Sequence, residues 1–331
     1  MHPPIEPHTH GLLERPEGNQ IYWEASGNPE GRPAVYLHGG PGSGLGSGGY
    51  RRLFDPDVYL IIGLDQRGCG RSQPWAIDAL DSLDTNTTSV LIGDVEALRE
   101  HLGIERWLVA GGSWGSTLTL AYALAHHHRV TEIVLGAVTT GARAELDWIT
   151  EGVGMMFPEA WERFAAARRP GERVVQAYAR LLRDTDPAVR TAAAEAWDAW
   201  ESTHVSLDPN HQPGPNRKDP RDRVNFATLV THFWANDCFL GGQRVVLDRA
   251  GELAEIPGVL VHGRHDVSSP ARAAWELHHA WPGSELIIVE TEGHVGPKML
   301  EIQATAINRF AGRTSQNETV RRRFTEPTAT R

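Results

Sequence analysis

Val109-Ala110-Gly111-Gly112-Ser113-Trp114-Gly115-Ser116-Thr117 is a short apolar run followed by a glycine-rich turn. This order predicts a buried strand, a sharp turn and the start of a helix. The central residues match G-x-S-x-G, the pattern of a nucleophile elbow, with Ser113 as its exposed serine. Gly111 and Gly115 allow the strand and the helix to pass closely. The alternative is an ordinary strand-to-helix turn in which Ser113 caps the helix.

Length and composition limit the function classes that need to be considered. The 331 residues suffice for one large α/β domain with an insertion, or for two domains. A net charge of −10 argues against a nucleic-acid or anionic-membrane partner. The two cysteines, Cys69 and Cys238, provide neither a disulfide framework nor a metal cluster, so we expect no metal and no other cofactor. The N-terminus shows no secretory signal and no stretch is apolar enough to span a bilayer, which favours a cytoplasmic protein.

Buried strands alternate with amphipathic helices along both ends of the chain. The predicted strands lie near 10–13, 20–24, 33–37, 58–64, 106–109, 132–138, 258–263 and 285–289. The predicted helices between them cover 88–102, 113–127, 269–282 and 297–310. This alternation predicts a mostly parallel sheet with helices on its faces, opened by an antiparallel pair.

The middle of the chain has a different pattern. Strand signals are missing from residue 141 to residue 256, and helical stretches at 143–153, 158–168, 171–183, 187–204 and 221–236 replace them, with a Pro- and Asn-rich loop at 208–216. We therefore expect a helical cap inserted into an α/β core. The expected boundaries are residues 1–140 and 241–311 for the core, 141–240 for the cap, and 312–331 for a disordered polar tail.

A serine nucleophile needs a base to take its proton and a carboxylate to orient that base. In α/β-hydrolases the chain order is Ser, then Asp or Glu, then His. Here Ser113 is followed by Asp266, directly after one predicted strand, and by His294, just after the next. The carboxyl ends of parallel strands meet at one sheet edge, so these three side chains are the predicted catalytic triad. Asp266 as a helix cap and His294 as a turn residue remain the alternative, and Asp65 and Asp237 are weaker candidates for the acid.

The oxyanion formed during acyl transfer needs two N–H donors. Trp114, the residue after the nucleophile, is predicted to supply one backbone N–H, and Gly40, in the glycine-rich loop after His38, the other. The turn from Asp65 to Ser72 is interpreted as structural, with Asp65 paired to Arg67 or Arg71.

Four motifs together carry a family resemblance. His38-Gly39-Gly40-Pro41-Gly42, Asp65-Gln66-Arg67-Gly68-Cys69-Gly70-Arg71-Ser72, the segment from Gly111 to Leu118, and Gly263-Arg264-His265-Asp266 resemble prolyl aminopeptidases (proline iminopeptidases) over roughly residues 18–311. The resemblance implies an α/β-hydrolase core with a helical cap, and metal-free removal of N-terminal proline from small peptides.

The resemblance also points to substrate-binding residues in the cap. In that family a glutamate after a tryptophan binds the free amine of the substrate, and Trp200-Glu201 matches that position. A second amine-binding glutamate of the family falls where this chain has Val230. One carboxylate in place of two should weaken the binding of a cation, so proline specificity is the point at which this chain departs from the family pattern.

Three functions follow from these observations. The first is a serine aminopeptidase for N-terminal proline, and the second an esterase or amidase for another small substrate, with Val230 marking a changed pocket. The third is a catalytically silent binding protein, which the complete triad disfavours. Epoxide hydrolases and haloalkane dehalogenases need an aspartate nucleophile, which Ser113 excludes. The expected partner is a small peptide or small molecule, and the sequence does not determine the oligomeric state.

Overall fold

An eight-stranded sheet forms the centre of the computed structural model, which describes residues 1–205 and 219–325. The strands are β1 (Thr9–Arg15), β2 (Asn19–Gly27), β3 (Arg32–Leu37), β4 (Tyr59–Leu64), β5 (Trp107–Ser113), β6 (Val130–Val138), β7 (Gly258–Gly263) and β8 (Ser284–Val289). Each lies where the apolar runs of the sequence predict a strand. β5 extends beyond its predicted end at residue 109 and includes Ser113.

Ten α-helices accompany the sheet in the described part of the chain. They are α1 (Thr88–His101), α2 (Trp114–Ala125), α3 (Arg143–Thr150), α4 (Pro158–Ala165), α5 (Val174–Leu181), α6 (Pro187–His204), α7 (Pro220–Ala235), α8 (Val245–Arg249), α9 (Arg272–Ala280) and α10 (Pro297–Thr325). The predicted loop at 208–216 lies outside the described residues. The interpretation of Ser269-Pro270 as the start of a helix is wrong, since α9 begins at Arg272 after an Ala271 N-cap.

The strand order is β1-β2-β4-β3-β5-β6-β7-β8. β1, β2 and β4 pair antiparallel, and all pairs from β4-β3 onward are parallel. The carboxyl ends of β5, β7 and β8 therefore lie along one edge of the sheet. Ser113 ends β5, Asp266 follows β7, and His294 follows β8.

Apolar side chains cover both faces of the sheet. One buried cluster joins α1, α2 and α9 to the sheet, with Leu98, Leu118 and Leu277 fully buried in it. A second lies on the opposite face, where α10 packs on β6 and β7 through Ile307 and Phe310. Because parallel strands are buried on both faces, they need the nearly continuous apolar sequence that β5, β6 and β7 show.

Helices α3 to α7 lie between β6 and β7 in the chain and have an apolar cluster of their own. Phe164 stacks on Tyr178 and Trp200, with ring centroids 4.5 and 5.0 Å apart, and Trp197 packs against the same ring at 5.5 Å. This aromatic packing gives the inserted helices an apolar cluster of their own, and the cap boundaries at residues 141–240 stay a prediction.

The last helix is longer than expected. The apolar pattern predicts an end near residue 310, whereas α10 continues to Thr325. Gly312 lies within α10 and does not end it. Residues 326–331 of the expected disordered tail lie outside the described part of the chain.

Candidate active site

Ser113 sits in a strained turn between β5 and α2. Its backbone has φ 55° and ψ −128°, a conformation that side chains other than glycine rarely adopt. It is also the last residue of β5 in register with β6, opposite Val138. The elbow expected from the sequence is thus present, and Ser113 lines a cavity above the sheet edge.

The glycines around Ser113 are required by close backbone packing. A Cβ on Gly115 would lie 2.1 Å from the Leu37 carbonyl oxygen, and one on Gly111 would lie 2.5 Å from the Gly115 carbonyl oxygen. Both distances are far shorter than any real carbon contact. The crossing of β5, α2 and β3 is therefore possible only with glycine at both positions.

Asp266 and His294 form a direct pair. The Nδ1 atom of His294 lies 2.8 Å from Oδ2 of Asp266, while Oδ1 accepts the backbone N–H of Ser269 at 2.8 Å. Because a carboxylate can only accept, His294 carries its proton on Nδ1 and leaves Nε2 as the basic nitrogen. His294 lines the same cavity as Ser113.

The charges around His294 favour its protonated form. Burial lowers the pKa of this imidazole, but the Asp266 carboxylate, by its charge and its hydrogen bond, and the Glu201 carboxylate, by its charge, raise it above the ordinary value. Burial raises the pKa of Asp266, yet His294 and its other partners hold it below the usual range. The arrangement suits a base with a permanently ionised orienting group.

The residues whose backbone groups are expected to bind an oxyanion line the same cavity as Ser113. Gly40 and Trp114 both contribute to its wall, and Gly40 has φ +116°. Gly39 packs directly on the nucleophile, since a Cβ there would lie 3.4 Å from the Ser113 Cβ. Gly39 is therefore a second candidate donor on this loop, which sequence reasoning did not single out.

Gln66 joins the two halves of this donor site. Its side-chain amide donates to the His38 carbonyl at 2.8 Å and accepts the Trp114 indole N–H at 2.9 Å. Its own backbone N–H donates to His38 Nε2 at 2.9 Å. One side chain thus connects the glycine loop to the elbow, although the turn that contains it was interpreted only as structural.

Asp65 fixes the far end of the same loop. Its carboxylate accepts the Leu45 backbone N–H at 2.6 Å and pairs with Arg71 at 2.7 Å, which is one of the two ion pairs expected. Arg67 instead pairs with Asp94. The predicted role of Asp65 at the strand end therefore extends to the loop beside the nucleophile.

The cavity encloses about 410 Å³ and lies between the sheet edge and the inserted helices. Its wall includes Ser113, Gly40 and His294 from the core and Ile149, Glu201 and Phe226 from α3, α6 and α7. Glu201 accepts the Trp197 indole N–H at 2.9 Å. A carboxylate, a nucleophile candidate and a base candidate thus share one small compartment.

Comparison with known proteins places this geometry in a family. Residues 33–297 match the alpha/beta hydrolase fold family. A probable proline iminopeptidase of Streptomyces coelicolor is 50% identical over 300 residues, covering 89% of this chain and 92% of that protein. The chain belongs to the proline iminopeptidase family of α/β hydrolases.

Two other members of this family are also similar to the chain. The proline iminopeptidase of Xylella fastidiosa strain Temecula1 is 43% identical over 89% of this chain and 93% of its own length. That of Arabidopsis thaliana is 42% identical over 89% of this chain and 77% of its own length. Among solved structures, proline iminopeptidase from Mycobacterium smegmatis superposes with a TM-score of 0.61 at 18% identity, over 92% of this chain and 100% of that one, which shows the shared fold.

Val230, at the position of the second glutamate implied by the family resemblance, is not among the described residues that line the cavity. It is fully buried in the apolar cluster of the cap. Phe226 and Trp234, one helical turn before and after it on α7, do line the cavity. All three share one helix face, and only the two long side chains reach the wall. The expectation of a direct substrate contact by Val230 is corrected accordingly.

Two polar residues near the triad were missed by sequence reasoning. His204, on the cap helix α6, lies 2.9 Å through Nδ1 from Ser268 Oγ, and burial lowers its pKa to about 4. His262, on β7, contacts the segment that carries Asp266. Neither has a local sequence pattern that predicts its role, because each acts through a partner brought in by the fold.

The described side chains cover residues 1–205 and 219–312, and the described backbone extends to residue 325. These ranges contain no group of three His, Cys, Asp or Glu side chains placed to hold a metal ion. None of their helices is both long and apolar enough to cross a membrane.

Proposed function

We propose that this protein is a serine aminopeptidase that releases N-terminal proline from small peptides through an acyl-enzyme. The observation that carries the proposal is the shared cavity, in which Ser113 on its strained elbow, the Asp266–His294 pair and the Glu201 carboxylate meet. Relatives up to 50% identical that are named proline iminopeptidases support it.

The first half of the reaction is acylation. Nε2 of His294 takes the Ser113 hydroxyl proton as Oγ attacks the carbonyl carbon of the prolyl residue. The carbonyl oxygen becomes an oxyanion, for which we propose the Trp114 and Gly40 backbone N–H groups as donors. When the intermediate collapses, the peptide nitrogen takes the proton from His294 and leaves as a free amine. Ser113 then carries the prolyl group as an ester.

The second half is hydrolysis of that ester. Nε2 of His294 takes a proton from water, whose oxygen attacks the ester carbonyl, and returns the proton to Ser113 Oγ as proline leaves. Asp266 stays ionised throughout, because it is held by His294 and the Ser269 N–H. Its role is to stabilise the imidazolium that forms twice in each cycle.

We propose Glu201 as the acceptor of the substrate's cationic imino group. Among the described residues that line the cavity, only Glu145 and Glu201 carry carboxylates. Glu145 binds the backbone N–H of Thr140 at 2.9 Å and the Thr140 hydroxyl, and burial raises its pKa. Glu201 lies close enough to His294 to influence the pKa of that imidazole. The amine of a bound prolyl residue must lie in this same region.

A second function is favoured by one observation. With Val230 on α7, the chain lacks a carboxylate at the position of the second glutamate that the family resemblance implies. Since a cation held by one carboxylate is bound more weakly than one held by two, an esterase or amidase for another small substrate is the alternative. A catalytically silent binding protein is disfavoured by the hydrogen-bonded Asp266–His294 pair.

One comparison of turnover distinguishes the two enzymatic functions. We expect kcat/KM for prolyl 4-nitroanilide to exceed that for alanyl 4-nitroanilide and for cyclopentanecarboxyl 4-nitroanilide, which has the ring but no nitrogen. Equal values for the prolyl and nitrogen-free compounds would contradict amine recognition. Turnover of simple 4-nitrophenyl esters alone would favour the esterase function.

The substrate class and the cellular location of the protein are proposed from the sequence. The net charge of −10 favours a small peptide or small-molecule substrate over nucleic acid. We propose a cytoplasmic location, to be tested by fractionating cells and assaying each fraction with the prolyl anilide.

A further inference from the structure

His262 is a fully buried histidine that the proposed reaction does not use. It lies on β7, four residues before Asp266. Its Nδ1 accepts the backbone N–H of Val138 at 3.0 Å, and its Nε2 lies 2.7 Å from the Ser269 carbonyl oxygen. A buried polar side chain with two short contacts across 124 and 7 residues of chain is placed with high precision.

These contacts determine the tautomer of His262. A backbone N–H can only donate, so Nδ1 holds a lone pair, and a carbonyl can only accept, so Nε2 carries the proton. His262 is therefore neutral, and burial lowers its pKa in agreement with this. A second proton would have to sit on Nδ1 against the Val138 N–H, which excludes the imidazolium.

The contacts also connect the nucleophile to the acid. Val138 is the β6 residue opposite Ser113 in the sheet. Its N–H is held by His262, and its carbonyl accepts the Ser269 hydroxyl at 3.0 Å. Ser269 in turn donates its backbone N–H to Asp266 Oδ1. His262 and Ser269 thus fix the distance between the strand end that carries Ser113 and the segment that carries Asp266.

His262 and His294 flank the same carboxylate with opposite tautomers. His294 donates from Nδ1 to Asp266 Oδ2 at 2.8 Å, and the Nε2 atom of His262 lies 3.7 Å from that oxygen. Because His262 is fixed as a neutral N–H dipole, only His294 can take up the proton from Ser113. The neighbouring imidazole therefore supports the ionised carboxylate without competing for the proton.

We propose that His262 is a positioning residue of the catalytic triad, which holds the Asp266 carboxylate in register with Ser113 through Val138 and Ser269. The inference rests on the triad proposed above. It predicts an effect on the chemical step for every substrate, whether or not the substrate has an amine.

The test uses a nitrogen-free substrate, cyclopentanecarboxylic acid 4-nitrophenyl ester, with the full-length protein. His262→Phe keeps a planar aromatic ring, somewhat larger than imidazole, and removes both hydrogen bonds. We expect kcat to fall roughly 10- to 100-fold with KM within about threefold. The acid limb of the kcat/KM profile should move to lower pH. The reason is that an Asp266 carboxylate displaced from His294 no longer raises the pKa of that imidazole. Asp266, Glu201, His204 and His262 are the titratable groups near this imidazole.

A matched control removes a buried histidine elsewhere. His232 on α7 is 2% exposed and also uses both ring nitrogens, with Asn86 O at 2.8 Å and Arg183 at 3.2 Å. His232→Phe should lower the thermal midpoint in the same way as His262→Phe, but keep kcat within about threefold and leave the acid limb unmoved. If His262→Phe behaves like this control, the proposal is wrong.

Two further variants keep the test informative if His262→Phe fails to fold. His262→Asn retains an acceptor near Nδ1 and should show a smaller loss of kcat with a shift of the limb in the same direction. Ser269→Ala removes only the hydroxyl bond to Val138 and should lie closer to wild type. Unchanged kcat and limb position in both would contradict the proposal. The triad itself is tested separately by Asp266→Asn, since near-normal turnover there would refute Asp266 as the acid.

Discussion

The hydroxyl of Ser113 is the atom on which the proposed chemistry depends. We expect a fluorophosphonate probe to label Ser113, because the elbow exposes its Oγ to the cavity beside a basic His294 Nε2. Ser113→Ala should abolish labelling and reduce turnover by several orders of magnitude while the protein stays folded. The measurement is mass spectrometry of the labelled peptide. Ser116→Ala, three residues further along the chain in α2, is the matched control. Labelling that survives Ser113→Ala would refute the assignment.

The charge of Glu201 should have two separable effects. Glu201→Gln removes the proposed acceptor of the imino group, so KM for prolyl 4-nitroanilide should rise about 10- to 100-fold, as for a lost charge-assisted bond. It also removes a negative charge that raises the pKa of His294. Since His294 must be unprotonated to act as a base, the acid limb of the rate profile should then move to lower pH.

The control for Glu201→Gln is Glu195→Gln on the same helix. Glu195 is exposed and pairs only loosely with Arg223, at 3.7 Å, so its loss should change neither KM nor the acid limb. Equal effects of Glu201→Gln on the prolyl anilide and on the nitrogen-free ester would count against amine recognition.

Among the elements, α2 depends on Gly115 for its close approach to β3. Gly115→Ala would place a methyl group 2.1 Å from the Leu37 carbonyl oxygen, so β3 and α2 would have to separate. We expect a loss of about 1–3 kcal/mol or more in the free energy of unfolding, as for overpacked sites, measured by urea denaturation. Gly93→Ala is the control, because that glycine in α1 has only Arg15 nearby, at 3.9 Å, and alanine there should stabilise the helix by about 0.5–1 kcal/mol.

Helix α7 offers a way to restore a carboxylate to the cap. Val230 lies one turn from Phe226 and Trp234, which both line the cavity, and a glutamate there is longer than valine. We expect Val230→Glu to raise the kcat/KM ratio of prolyl anilide to nitrogen-free ester. It should also lower the thermal midpoint, since a carboxylate enters an apolar cluster. Val230→Gln has the same length without the charge, and an equal gain in that variant would contradict the electrostatic explanation.

At the scale of the whole molecule, local sequence patterns predicted which strands carry the triad candidates. They did not predict the side chains that hold these candidates in position. The triad candidates Ser113, Asp266 and His294 could be predicted, because each follows an apolar strand and parallel strands end at one edge of the sheet. The contacts of Gln66 and His262 could not be predicted, since their partners lie 28 and 124 residues away in sequence. Contacts of that separation exist only once the sheet has formed.

The cap shows the same limit. Its helices were predicted from stretches rich in Ala, Arg, Glu and Trp, and the aromatic packing around Phe164 buries Trp197 and Trp200. The periodic pattern cannot tell which residues of a buried helix face reach a cavity. Side-chain length and helix docking place Phe226 and Trp234 on its wall and keep Val230 behind it.

The insertion of α3 to α7 between β6 and β7 also sets the order in which a ribosome makes the active site. The elbow with Ser113 is complete early in translation, whereas Asp266 and His294 follow only after the whole cap. A nascent chain therefore carries a serine with neither acid nor base, and domains fold as units from the N-terminus. By the proposed mechanism, the nascent chain is therefore inactive until β8, the last strand, joins the sheet and brings His294 to Ser113.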